Sequence, residues 1–201
     1  MKKILCALLL LCSTSLLAFP YHVSQDVLDD IDTYEARYNK NPTSNEAIFE
    51  LAMAYAYSGQ VQEGLDKLNK LNVSYADVVI ATYSPDLNKD KSDWRTPFKL
   101  GFAYYFKKDK HRAIELFDEA YKRNNKQYWS LGYKALVYGE LGNVDEAIRI
   151  CKQALKIEKN ATAIHFLLAD GYKRKKKYFK ALKHILNVGR LQSKTKRSKG
   201  R

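Results

Sequence analysis

An all-α solenoid of stacked helical hairpins is the fold this sequence predicts, and three observations predict it. Between residues 94 and 195 one pattern recurs three times at a spacing of 34. Tyr104, Tyr138 and Tyr172 fall on it, as do Ala113, Ala147 and Ala181, and the small residues Gly101, Ala135 and Ala169. A fourth copy (Ala52, Tyr55, Gly59, Gly64) lies upstream at a displacement of 49, which implies an insertion of about fifteen residues between two units. Within each unit the small residue and the Ala about twelve positions later fall on facing helices, where small side chains let two axes approach closely. A single hairpin cannot bury its own apolar side, so such units gain stability by stacking.

These columns resemble the tetratricopeptide repeat. The third unit carries the pattern as Leu131, Ala135, Tyr138, Gly142, Ala147, Cys151 and Ala154, and the second as Leu100, Gly101, Tyr104, Ala113, Phe117 and Ala120. The fourth reads Leu168, Ala169, Tyr172, Ala181, Ile185 and Val188, and the first Ile48, Leu51, Ala52, Tyr55, Gly59, Gly64 and Leu68. Lys134 stands where Leu is usual, Lys108 and Lys176 replace the turn Gly, and no full unit ends in the family's Pro. The resemblance implies a right-handed superhelix of about four repeats that binds a protein or peptide ligand and does no catalysis. It also implies a concave groove lined by the first helix of each repeat. By register that face carries Phe49, Met53, Tyr57, Phe98, Phe102, Tyr105, Phe106, Trp129, Leu136 and Phe166. Aromatic anchors in a groove receive a helix or an extended peptide; the same rings could instead pack against adjacent helices or the insertion. The groove lacks the Lys and Asn set with which some relatives clamp a peptide's C-terminal carboxylate.

Taken in order, residues 1–18 have two lysines, an apolar run, then small polar residues and Ala18. That is the layout of a secretory signal peptide, too short for a comfortable membrane span, and it predicts cleavage after Ala18 and a periplasmic or secreted protein of bacterial type. An uncleaved membrane anchor is the alternative. Residues 19–43 form an acidic, amphipathic capping helix with Val27, Leu28, Ile31 and Tyr34 on its apolar side, stopped at Asn41–Pro42. Repeat 1 spans 44–72. The insertion, 73–93, reads as a polar loop, and its VVIATY stretch is either a helix end or a short extended piece. Repeats 2, 3 and 4 follow at 94–127, 128–161 and 162–190, and 191–201 reads as a basic disordered tail.

Catalytic constellations are missing: there is no H-E-x-x-H, no paired-Cys motif, no G-x-S-x-G and no Gly-rich phosphate loop, so neither an enzyme nor a cofactor is expected. Asp86, Asn88 and Asp90 alternate as calcium ligands do, but Lys91 replaces the required Gly and Pro97 the bidentate Glu, so no metal site is expected either. His22, His111, His165 and His184 are scattered singly. Without the signal, Cys151 is alone at a core column, a packing residue rather than a nucleophile or a disulfide partner.

Charge is the remaining signal. The full chain has 35 basic and 22 acidic residues, a net +13. Residues 173–201 hold thirteen Lys and Arg and no Asp or Glu, which leaves residues 19–172 at −2. In the last helix Phe179, Leu182, Ile185 and Leu186 alternate with lysines. This pattern suits an anionic membrane surface or another polyanion, contacted by Lys175, Lys176, Lys177, Lys180, Lys183, Lys194, Lys196 and Arg197. The same lysines would also solvate the open end of a solenoid. Specific nucleic-acid binding is not expected, since no recognition fold accompanies the charge. The leading expectation is an exported interaction module with an aromatic groove, and the alternative is a protein that works through its basic C-terminus.

Overall fold

The computed structural model describes residues 20–199, with the side chains of 194–199 left out; the expected signal peptide at 1–18 lies outside them. Among the described residues there are ten α-helices. The capping helix is α1 (Gln25–Lys40). Hairpin one is α2 (Asn45–Ser58) with α3 (Val61–Leu68), followed by α4 (Tyr75–Tyr83) and a 3-10 turn at Ser84–Asp86. Then come the hairpins α5 (Arg95–Phe106) with α6 (Lys110–Arg123), α7 (Tyr128–Glu140) with α8 (Val144–Ile157), and α9 (Thr162–Arg174) with α10 (Tyr178–Lys199). From α4 onward each helix packs on the next, as α1, α2 and α3 do in turn, and α9 also touches α7, so the elements stack in chain order.

The recurring Tyr marks the end of each first helix because its carbonyl closes the turn. Tyr55 accepts from the Gln60 N–H (2.9 Å), Tyr104 from Asp109 (3.0 Å), Tyr138 from Asn143 (3.0 Å) and Tyr172 from Lys177 (2.8 Å). This closure puts one residue per turn in the left-handed region. Gly59 (φ 81°) and Gly142 (φ 83°) adopt it at no steric cost, whereas Lys108 (φ 66°) and Lys176 (φ 57°) do so against the clash of their own Cβ. The two departures at the turns, Lys108 and Lys176, are thus points of backbone strain.

Interiors follow the predicted columns. Gly101 admits the Phe117 ring, which a Cβ would meet at 2.8 Å. Ala113, Ala120, Ala135 and Ala154 are each at most 1% exposed. Val27 and Ile31 of α1 are buried, Ile31 in a small core with Leu51, Ala54 and Tyr55 of α2, so the capping helix covers one side of the first hairpin. Two expectations need correction. The insertion is not merely a polar loop: its apolar run folds as α4, which sets Ala76 and Val79 into the main core. The chain from 191 onward is not a disordered tail through its length, because α10 continues to Lys199, with Leu191 only 2% exposed and no Pro to stop it.

The turn geometry fixes how substitutions there behave. Lys108→Gly and Lys176→Gly should each stabilise the protein by up to about 1 kcal/mol, seen as a higher urea midpoint. At Gly142, where a Cβ meets nothing within 4 Å, Ala should cost about 1 kcal/mol. At Gly59 the Cβ would sit 1.8 Å from the Trp129 ring, so Ala should cost a further few kcal/mol, roughly 2–3. Equal costs at the two glycines would refute the role given to Trp129.

Candidate functional site

The ten residues expected to line an aromatic groove are not one open surface. Phe49, Met53, Tyr57, Phe98, Phe102 and Trp129 are each at most 6% exposed. Only Tyr105, Phe106, Leu136 and Phe166 remain partly accessible. Physical neighbours explain the difference. Tyr75 and Tyr83 of α4 close over Phe49, with ring centroids 6.0 and 6.5 Å away. Tyr57 lies edge-on to Trp94 (4.8 Å) and Phe98 (5.0 Å), and Phe102 lies edge-on to Tyr133 (4.6 Å). Trp129 is pressed against Gly59 on one side and faces Tyr21 of the N-terminal segment at 5.7 Å. These rings hold repeat to repeat.

A buried ion pair fixes α4 in that position. Glu50 on α2 is 4% exposed and receives Lys99 Nζ of α5 at 2.7 and 2.9 Å on its two oxygens. Its Oε1 also accepts from the Tyr83 hydroxyl at the end of α4, and the Tyr83 hydroxyl is held far above the usual phenol range by burial and this carboxylate. The loop that follows is closed by Arg123, whose guanidinium donates to the carbonyls of Leu87 (2.7 Å), Asp93 (3.0 Å) and Asp90 (3.1 Å) while also meeting Glu119. A cationic side chain therefore occupies the carbonyls of the segment whose acidic spacing resembles a calcium loop. Among the described residues no cluster of three His, Cys, Asp or Glu could hold a metal ion.

Among the described residues, concavities occur at several places, of which two are roomy enough to matter. A crevice of about 160 Å³ runs between the α3–α4 connection, α4 and the end of α5, walled by Phe49, Leu71, Tyr75, Val79 and Phe106, with Val73 beside it 66% exposed. It holds two of the ten predicted groove residues. Sequence reasoning missed Leu71, at the end of repeat 1, and Val73 and Tyr75 of the insertion; the apolar run from Val73 to Tyr83 was the available signal. A wider cavity of about 450 Å³ lies between residues 22–27, the start of α7 and the end of α8, lined by Val27, Tyr57, Tyr128, Trp129 and Glu158. Glu158 is already engaged there, accepting from the His22 and Asn160 N–H groups.

The C-terminal end differs from the rest. Tyr178, Phe179, Leu182, Ile185 and Leu186 of α10 are 64, 91, 53, 42 and 63% exposed. Of the lysines singled out there, Lys175 pairs with Asp145 at 2.7 Å, Lys176, Lys177, Lys180 and Lys183 are exposed, and the side chains of Lys194, Lys196 and Arg197 lie outside the described residues. On the inner side of the hairpin, the scattered histidines are partly gathered after all. His165 Nδ1 lies 2.9 Å from His184 Nδ1, and His165 Nε2 lies 3.0 Å from the Lys159 carbonyl. A carbonyl only accepts, so Nε2 carries the His165 proton and His184 donates to His165 Nδ1. The Cys151 thiol, buried at its core column, is pushed up to about 12 by desolvation, the mark of an inert packing residue.

The histidine pair sets a pH dependence. Burial, the neighbouring His165 and the cations Lys183 and Lys152 lower His184 to about 4. Burial and Arg190 lower His165, against the Lys159 carbonyl; the Tyr172 ring stacks on His184 from α9. Below about 6.5 the unfolded chain takes up protons that the folded hairpin refuses, so stability should be level above that pH and fall as pH drops toward about 4. The carboxylates held below their ordinary range, such as Asp26 and Asp118, act only at lower pH. Melting curves of His184→Asn should lose most of the slope in this window; an unchanged slope would rule out the pair as its source.

The tetratricopeptide repeat family model matches residues 98–127 and 130–160, the hairpins α5–α6 and α7–α8. No curated protein sequence matches the chain. Among solved structures, a crystal structure of MamA is 19% identical and covers 86% of this chain and 92% of its own, with a TM-score of 0.52. TTC0263, a thermophilic tetratricopeptide-repeat protein of Thermus thermophilus, is 20% identical over 82% of this chain and 86% of its own, with a TM-score of 0.51. At these identities the likeness is one of fold. Residues 98–127 and 130–160 thus match the tetratricopeptide repeat, and with the four left-handed turns in register the chain folds as an all-α helical-hairpin solenoid like those of tetratricopeptide-repeat proteins.

Proposed function

We propose that this chain is an exported, non-enzymatic protein-interaction module, and that a partner segment anchors one apolar side chain in the crevice between α4 and α5. The fold supports the general reading, since repeat solenoids of this kind serve as interaction scaffolds. One observation carries the specific one: Phe49 and Phe106, two of the expected groove residues, wall a crevice of about 160 Å³ that is open to solvent beside the exposed Val73. An apolar cavity of about 150 Å³ holds a benzene ring, so the crevice suits one aromatic or branched side chain of a helix or extended peptide. Large apolar anchors that fill such pockets dominate binding at protein interfaces. Asn69 and Asn72 contribute polar groups to its lining, as expected around an anchor pocket.

Selection of a displayed random-peptide library on residues 19–201 should enrich sequences sharing one large apolar residue. Their binding should fall about tenfold or more with Phe106→Ala and with Val73→Glu, a change at an exposed position that removes no core. Binding that neither substitution alters would refute the crevice. Export follows from the layout of residues 1–18, and mass spectrometry tests it: protein recovered from a bacterial periplasmic fraction should begin at Phe19. Full-length chain confined to the cytoplasm would remove the export half of the proposal.

A further inference from the structure

We infer that the outer face of α10 seats on a bilayer surface that carries anionic phospholipid. The site lies at the opposite end of the repeat stack from the crevice, so either proposal stands or falls without the other.

The first observation is that α10 has two apolar faces. Val188 and Leu191 are 2% exposed, and with Ala181 and His184 they form the side packed into the last hairpin. At about 100° per residue, Tyr178, Phe179, Leu182, Ile185 and Leu186 gather on another side, in a sector about 120° wide and about 12 Å long. All five are exposed, Phe179 at 91%. Among the described residues the other large exposed apolar side chains, Val73, Val78, Leu141 and Ile157, are dispersed over other elements. A continuous stripe of this size on the last helix marks an interaction surface.

The second observation is the charge beside it. On the same projection Lys183, Arg190 and Lys180 follow the stripe along one flank, between it and the packed side. Among the described residues none of these three forms an ion pair, nor do Lys176 and Lys177 in the preceding turn, and the sequence from Lys173 to the end holds no carboxylate side chain to neutralise them. The cations are therefore available to an external anion.

Together the two features select the occupant. A soluble polyanion would use the lysines but would leave Phe179, Leu182 and Leu186 in water. A second copy docked stripe to stripe would bring two uncompensated cationic flanks together. An anionic bilayer presents an apolar layer directly beneath a plane of negative charge, and a helix lying in the interface fills both at once, its rings and leucines below the headgroups and its lysine stems reaching up to them. The contact is peripheral: no described helix is long and apolar enough to cross a membrane.

Liposome flotation tests this with the full chain and with residues 19–201, the latter free of the apolar run near the N-terminus. Binding should be about tenfold stronger to phosphatidylcholine vesicles containing about 30% phosphatidylglycerol than to phosphatidylcholine alone, and should weaken with salt. Phe179→Glu/Leu186→Glu, at exposed positions, should reduce it about tenfold at unchanged melting temperature, and Lys180→Gln/Lys183→Gln/Arg190→Gln severalfold. Three results would overturn the inference: equal binding to both vesicles, full binding by the Phe179→Glu/Leu186→Glu variant, or a lipid-free dimer by sedimentation that this variant abolishes.

Discussion

Every helical hairpin in this chain has an apolar side that it cannot cover by itself, and the architecture is a record of what covers each one. Hairpins α5–α6 and α7–α8 are covered by one another and by their neighbours. The first hairpin needs more, because α2 is buried along nearly its whole length, from Ala47 to Ser58. It receives α1 on the Leu51–Tyr55 side and α4 on the Phe49 side. On the last hairpin, among the described residues, no element packs over the outer stripe of α10, which is exposed. Among the described residues, one end of the solenoid is covered, and the face left exposed at the other is the basic one.

Specific polar contacts make the covering helices part of the fold rather than loosely applied. Glu50 and Lys99 form a pair with side chains only 6% and 10% exposed, and the Tyr83 hydroxyl completes it. A buried pair of this kind adds little net stability, but breaking it by removing one partner costs about 3–5 kcal/mol. Its effect is positional: α4 can take only the placement that satisfies the carboxylate. Arg95 acts similarly on α1, reaching Asp26 and Asp30 at 2.8 and 2.7 Å. Arg123 holds the backbone of 87–93 through three carbonyls, which lets a loop rich in Asp and Lys keep a fixed course without a core of its own.

The parts of the fold legible in the sequence were those dictated by local geometry. A Tyr carbonyl closing a left-handed turn requires the same residues at the same spacing in each unit, so the 34-residue columns identify the turns, and even Lys108 and Lys176 are recognisable as strained substitutes for Gly. The face that each first helix turns inward was legible too. What it met was not. Register shows that Phe98, Phe102 and Trp129 share a side, but Trp129 meets Gly59 across a sequence distance of about 70 residues, and no periodicity encodes that approach. The insertion was illegible for a related reason: nine residues from Tyr75 to Tyr83 are too short to show a helical period, and they fold because Phe49 and Glu50 await them. His165 and His184 look isolated in sequence and meet only because α9 and α10 pair.

Burial of the aromatic set changes where recognition can occur. Rings that carry the packing between repeats cannot also be yielded to a ligand without loosening the stack: opening Phe98 or Phe102 would expose Tyr57, Phe117 and Tyr133 together. Surfaces whose apolar groups already face water carry no such coupling, because covering them costs no internal contact. The crevice at Phe106 and the outer face of α10 satisfy that condition. They lie at different ends of the stack, one with a polar rim and little charge, the other flanked by uncompensated lysines. Because the rings between repeats are committed to packing, the two proposed sites fall on the apolar groups that packing leaves open, Phe106 at the crevice and Phe179 on α10, and their different surroundings suit partners of different chemistry.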